Sequence, residues 1–150
     1  MQDDTPISAT EWCLRLARAQ AVLTRRLDNA LGGHHGISFS DYQMLYHLSR
    51  APGARLRRIE LAERLGLTAS GVTRNLLPLE KIGLVTRQSD PRDARVGFAV
   101  VTATGQELMN NATTVVDSIA RDALGQVTLD IRTRMAALLG QIAGIHSGNS

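Results

Sequence analysis

Residues 59–74 have the sequence IELAERLGLTASGVTR and predict two short helices joined by a tight turn. Leu61 and Ala62 lie on one apolar face, and Ala62 is small where the two helices would cross. Gly66 can adopt the positive φ that a tight turn requires. Thr68 is a favoured N-cap for the second helix. This layout is that of a helix-turn-helix.

The second helix is expected to present polar and small residues outward. We expect Leu67 and Val72 to bury the turn and the inner face of this helix. Its N-terminus carries unpaired N–H groups and a positive dipole, both suited to phosphate. Arg74 could contact a phosphate or the edge of a guanine in a major groove. An ordinary αα-hairpin with a glycine turn is the alternative. The candidate DNA-contacting residues here are Thr68, Ala69, Ser70, Gly71, Thr73 and Arg74.

A β-hairpin is predicted directly after these helices. Residues 84–88 favour a strand, and the alternating apolar residues from Val96 predict the return strand. The intervening residues 89–95 are rich in turn formers and are expected to form a loop. Arginines in such a loop could enter a minor groove, and an Asp93–Arg95 ion pair could direct the guanidinium. A self-satisfied surface turn is the alternative. The loop adds as candidate DNA contacts Arg92, Asp93 and Arg95.

Four more helices are predicted from apolar stripes that follow capping residues. The first spans residues 8–31 and is expected to stop at Gly32-Gly33, before a loop that includes His34 and His35. Capping boxes at residues 40–43 and 104–107 begin two others, and Thr128 begins the last. The fold class is therefore mainly α with a small β-hairpin (α+β).

The final helix carries an apolar stripe that needs a covering surface. Its members are spaced by three and four residues, as one helix face requires. We expect a second copy of the chain to cover part of this stripe, and packing on the first helix of the same chain is the alternative. The stripe consists of Ile131, Met135, Leu138, Ile142 and Ile145.

Charge is unevenly distributed along the 150 residues. The net charge is +3, but residues 50–95 hold ten basic and five acidic side chains, whereas the remainder is net negative. A basic middle segment favours contact with a polyanion, although a solvated helical face would show the same pattern. Hydrophobic residues make up 43% of the chain, enough for the core of one domain.

Composition excludes several other classes of protein. One cysteine excludes a disulfide framework and a cysteine-rich zinc module. His34, His35 and His47 lack ligands at metal-binding spacing, so we expect no metal and no cofactor. No apolar run is long enough for a membrane span, and the polar N-terminus is unlike a secretory signal, so we expect a cytoplasmic protein. Catalytic and nucleotide-binding motifs are absent, so we expect no enzyme.

Several motifs together resemble those of the MarR family of bacterial transcriptional regulators. The resemblance covers roughly residues 10–146 and includes the order of the helices. Its motifs are LAERLGL at 61–67, VTR at 72–74, LEKIGLV at 79–85, DPRDAR at 90–95 and TATG at 102–105.

The resemblance implies a single MarR-type domain over residues 8–146. A winged helix-turn-helix core would span about residues 38–103, and dimerisation helices would span about 8–32 and 104–146. It also implies a homodimer on a palindromic operator, usually acting as a repressor. A winged-helix module for protein–protein contact is the alternative function.

Many members of this family release DNA when they bind a small phenolic or other lipophilic molecule. Trp12, Arg15, Tyr42 and Tyr46 are therefore candidate effector-binding residues. One branch of the family senses organic hydroperoxides with a cysteine on the first helix, aided by nearby tyrosines, so Cys13 is a candidate redox residue. A lone helical cysteine as a small buried hydrophobe is the alternative.

Overall fold

The computed structural model describes residues 5–144, which form six α-helices and one three-stranded antiparallel sheet in the strand order β1-β3-β2. The sheet and helices match the mainly helical architecture predicted from sequence. The helices are α1 (Ala9–His35), α2 (Phe39–Arg50), α3 (Arg58–Leu65), α4 (Ala69–Lys81), α5 (Ala103–Leu124) and α6 (Leu129–Ile142). The strands are β1 (Arg55–Arg57), β2 (Val85–Asp90) and β3 (Asp93–Val101).

Side-chain hydroxyls cap most of the helices. The expected N-caps of α1, α4 and α6 are confirmed, but those of α2 and α5 lie two residues earlier than predicted. Ser38 caps α2 in place of Ser40, because Ser38 and Asp41 accept each other's backbone N–H at 3.0 Å. Thr102 caps α5 in place of Thr104, because its hydroxyl also donates to the carbonyl of Gly83 at 2.6 Å.

Helix α1 continues through the two glycines that were expected to end it. His34 and His35 therefore belong to the helix and not to a loop. The helix ends at Gly36, which has a φ of 69° and donates its N–H to the carbonyl of Gly32. Gly36 adopts the left-handed conformation that a C-cap favours, whereas neither Gly32 nor Gly33 has a positive φ.

The predicted loop at residues 89–95 is mostly strand. β2 continues to Asp90 and β3 begins at Asp93, so only Pro91 and Arg92 lie between the strands. Strand β1 was missed because three residues are too short to show a period. Its residue Arg57 pairs with Phe98 of β3, which makes β3 the central strand.

The buried core lies where α2 meets α3, α4 and the sheet. Val72 is buried as expected, but Leu67, which was expected to bury the turn, is 42% exposed, and Ile82 is 63% exposed. Both lie just beyond the end of a helix, where the backbone leaves the core. The largest fully buried side chains are Leu31, Met44, Leu45, Leu48, Leu61, Leu79 and Val72.

The terminal helices are much less covered than the core. Helix α1 buries Leu27 and Leu31, and Arg26 forms an ion pair with Asp122 of α5. Helix α6 has no buried residue, and its predicted stripe is 41–52% exposed from Ile131 to Ile142. Ile145 and the end of the domain predicted at residue 146 lie outside the described residues. Among the described helices, none is both long and apolar enough to cross a membrane.

Candidate nucleic-acid interface

The N-terminus of α4 is held by its capping threonine. Thr68 Oγ1 accepts the N–H of Gly71 at 3.1 Å, which leaves Ala69 and Ser70 exposed beside the cap. A Cβ at position 71 would lie 3.3 Å from that oxygen, so a larger residue would crowd the cap. The first turn of α4 therefore presents small side chains and backbone N–H groups on an open surface.

Two polar residues further along α4 differ in whether their side chains are hydrogen-bonded within the chain. Thr73 is half-buried: its hydroxyl donates to the carbonyl of Ala69 at 3.1 Å and accepts from Arg58 at 3.4 Å. Arg74 is exposed and forms no hydrogen bond or ion pair with any residue between 5 and 144. The sequence placed both residues outward, but only the guanidinium of Arg74 is free for an external ligand.

The expected Asp93–Arg95 pair is present at the start of β3. Asp93 accepts the N–H of Arg95 at 3.0 Å and its Nε at 3.1 Å, while Nη2 lies 3.3 Å from the second carboxylate oxygen. The hydrogen bonds from Arg95 hold the pKa of Asp93 below its usual value. The Arg95 side chain is nevertheless 91% exposed, so its cation faces solvent in a defined direction.

A buried carboxylate fixes the turn between β2 and β3, the two strands of the hairpin that we call the wing. Asp90 is 8% exposed, accepts the N–H of Arg92 at 2.8 Å and lies 3.2 Å from Nη2 of Arg57. The wing turn is thus joined to β1 by an ion pair. Sequence reasoning missed this role of Asp90 and Arg57, because the two residues become neighbours only when the three strands pair.

Two arginines of β1 also contact an aromatic ring of β3. The guanidinium carbons of Arg55 and Arg57 lie 4.4 and 5.5 Å from the ring centroid of Phe98. Arg55 also donates to Gln88 at 2.8 Å. These contacts order Arg55 and Arg57, two basic residues of the segment 50–95. Their guanidinium groups are thus engaged in contacts within the sheet.

The four candidate effector residues are not brought together within one chain. Tyr42 is buried and hydrogen-bonded to Thr113 at 2.8 Å, and Tyr46 packs under Arg50. Among residues 5–144, no hydrogen bond, ion pair or ring contact joins Trp12 or Arg15 to either tyrosine. Arg15, one turn from Trp12, pairs with Glu11.

Cys13 is exposed and is not a small buried hydrophobe within one chain. It lies on α1 beside Trp12. Across residues 5–144, no cluster of three or more histidine, cysteine, aspartate or glutamate side chains could hold a metal ion.

Comparisons with known proteins identify the family. A sequence profile of the MarR family matches residues 35–96. YxaD, an uncharacterised HTH-type transcriptional regulator of Bacillus subtilis, is 31% identical over 109 residues, which cover 73% of each chain. A MarR family regulator from Streptomyces coelicolor, crystallised in complex with DNA, is 27% identical with a TM-score of 0.82, over 97% of this chain and 95% of that one. This chain belongs to the MarR family.

A second structure supports the same assignment to the MarR family. AbsC, a MarR family transcriptional regulator also from Streptomyces coelicolor, is 26% identical with a TM-score of 0.80, over 93% of this chain and 95% of that one. Helices α3 and α4 are therefore the helix-turn-helix of a MarR regulator, and β2 and β3 are its wing. The protein is a DNA-binding regulator of transcription and not an enzyme.

Proposed function

We propose that this MarR family protein is a cytoplasmic repressor that binds a palindromic operator in double-stranded DNA as a homodimer. The observation that carries the proposal is the free, exposed guanidinium of Arg74 on α4. The cation lies on the helix that enters the major groove in helix-turn-helix proteins. Ser70 and the N–H groups of the first turn would contact the same groove or the adjacent phosphates.

The wing would contribute a second contact on the DNA. Arg95, directed by Asp93, and Arg92, held by Asp90, are arginines at the tip of a narrow hairpin. Such a cation is suited to the narrow, electronegative minor groove that flanks the major-groove site. The proposed interface therefore combines a base-reading helix with a wing that is less sensitive to sequence.

The exposed apolar face of α6 supports the proposed homodimer. Two copies related by a two-fold axis would bury this face, and their α4 helices would then address half-sites about 34–36 Å apart. Each chain would supply one half-site contact. The two-fold symmetry of the protein would be matched by a palindrome in the DNA.

A small phenolic or lipophilic molecule is proposed as the effector that releases the DNA. Trp12 and Arg15 make no hydrogen bond, ion pair or ring contact with Tyr42 or Tyr46 in one chain, and the proposed pocket includes residues from both subunits. A half-buried indole and a buried phenol are suited to an aromatic ligand, and an arginine to its carboxylate or phenolate.

The test begins with selection of bound duplexes from a random pool. Arg74→Ala and Arg95→Ala should each weaken binding to the selected operator by about 5- to 150-fold, because each removes a base or groove contact. Arg121→Ala on α5, which removes an exposed arginine paired only with Asp117, is the matched control and should bind normally. Fluorescence anisotropy measures affinity, and light scattering confirms that the dimer persists.

Salt dependence gives an independent readout. Contact with about 6–10 phosphates predicts a loss of about 10³–10⁵ in affinity between 50 and 200 mM salt. Unchanged binding by both arginine variants, with no salt dependence, would contradict the proposal and favour a protein–protein module. Compounds that release the operator can then be sought with the same assay.

A further inference from the structure

The first turns of α2 are hydrogen-bonded to three other helices. Asp28 of α1 accepts the N–H of Phe39 at 2.7 Å, and Tyr42 is hydrogen-bonded to α5 through Thr113. Asn75 of α4 donates its side-chain N–H to Ser40 Oγ at 3.3 Å. A single segment of α2 is thus bonded both to the terminal helices and to the helix of the proposed DNA interface.

The hydrogen bond to Asp28 fixes the position of the start of α2 relative to α1. Phe39 occupies the first position of the helix, where the backbone N–H has no partner within the helix. The carboxylate of Asp28 satisfies this donor and lies at the positive end of the helix dipole. Ser40, the next residue, is therefore held in a defined position relative to α1.

Apolar packing places the buried face of α4, and directional contacts fix the rotation of the helix more closely. Its buried face consists of Val72, Leu76 and Leu79, and dispersion and hydrophobic contacts are not directional. A rotation of about 10° moves a side-chain atom on a helix of about 5–6 Å radius by about 1 Å. A shift of that size takes a donor out of the range of hydrogen-bond distances that a base edge requires.

The Asn75–Ser40 bond is a directional contact of α4 with α2, as the bond from Arg58 to Thr73 is with α3. Asn75 follows Arg74 in sequence, so the two side chains leave the helix about 100° apart. Fixing Asn75 on one side of α4 therefore fixes the direction in which the Arg74 side chain leaves the helix. Asn75 is half-buried and its amide is turned toward α2, which distinguishes it from the exposed residues that face solvent.

We propose that Ser40 and Asn75 are positioning residues that set the rotation of α4 and so the selectivity of Arg74 for the operator. The inference rests on the proposed function. Neither residue needs to contact DNA. The hydrogen bond between them acts through Arg74 by favouring one orientation of the helix over those that apolar packing alone would allow.

The experiment measures binding of the full chain to its selected operator and to a scrambled duplex of the same length. Ser40→Ala and Asn75→Ala should each lower operator affinity about 3- to 10-fold, the range expected for one hydrogen bond. Affinity for the scrambled duplex should not change. The double variant should lose no more than either single variant, because both remove the same bond.

Conservative and matched controls separate positioning from loss of fold. Ser40→Thr keeps the hydroxyl and should retain selectivity. Ser49→Ala removes another α2 hydroxyl, which donates only to the carbonyl of Tyr46 in its own helix, and should bind like the parent chain. Circular dichroism and light scattering establish that each variant is folded and dimeric.

Three outcomes would overturn this inference and leave the proposed function standing. If Asn75→Ala weakens operator binding and Ser40→Ala does not, Asn75 does not act through Ser40. Additive losses in the double variant would show that the two residues act independently. Equal losses on operator and scrambled duplex would show no role in selectivity. Failure of the parent chain to bind any duplex would instead overturn the proposed function, and this inference with it.

Discussion

The helix-turn-helix core and the terminal helices use similar sequence patterns with different results. Helices α4 and α6 both begin at a capping threonine, Thr68 and Thr128, and both carry apolar residues at spacings of three and four. In α4 these residues are buried by neighbours from the same chain, but in α6 none is buried. An amphipathic pattern thus determines that a helix forms and which face is apolar, but not what covers that face.

A leucine-to-alanine variant in each region tests whether the core is covered by its own chain and the α6 face by a second one. Leu45→Ala removes a fully buried side chain and should lower the free energy of unfolding by about 2–5 kcal/mol. Leu138→Ala, on the exposed face of α6, should mainly weaken the proposed dimer and make the unfolding midpoint more dependent on protein concentration. Urea unfolding at several protein concentrations, with sedimentation equilibrium, measures both effects.

The proposed difference between the two regions is contradicted if both leucine variants lose stability to a similar extent and neither changes dimer formation. A loss of several kcal/mol for Leu138→Ala in dilute solution, with no change in dimer formation, would mean that α6 packs against its own chain. Leu14→Ala, an exposed leucine of α1, extends the same test to the other terminal helix.

Two glycines show the same difference between the core and the terminal helices in the space around their backbone. A Cβ at Gly105, where α5 meets the sheet, would lie 2.1 Å from the carbonyl oxygen of Leu84, so Gly105→Ala should destabilise the fold by about 1–3 kcal/mol. A Cβ at Gly32 of α1 would have no atom within 4 Å, and Gly32→Ala should stabilise the helix by about 0.5–1 kcal/mol. Thermal unfolding should shift in opposite directions, and shifts of the same sign would contradict the structure.

The smallest expected effect is a pH dependence that arises from the half-buried His47 of α2. Burial, and then the charge of Arg64, lower the pKa of His47 below its usual value. The unfolded chain therefore takes up a proton more readily than the folded chain. Stability should be fully present above the usual pKa of about 6.5 and should fall as the pH drops below it. Urea midpoints from about pH 7.5 to pH 5 measure the slope, which His47→Gln should reduce.

Local rules predicted a large part of this protein. Thr68 and Thr128 cap their helices as expected, and the Asp93–Arg95 pair forms between residues two apart. Where the same rules failed, a contact from elsewhere in the fold decided the outcome. Thr102 caps α5, and its hydroxyl also donates to the carbonyl of Gly83, which lies two residues before β2.

Capping residues, apolar spacing and turn formers act over three or four positions, so the chain alone specified the two helices at residues 59–74, the hairpin after them and the stripe on α6. Only the folded structure joined Arg57 to Asp90 and Ser40 to Asn75, pairs that are separated by 33 and 35 positions. No local pattern records such pairs, because they exist only once strands and helices have packed. We propose that the direction of Arg74 depends on the second of these pairs.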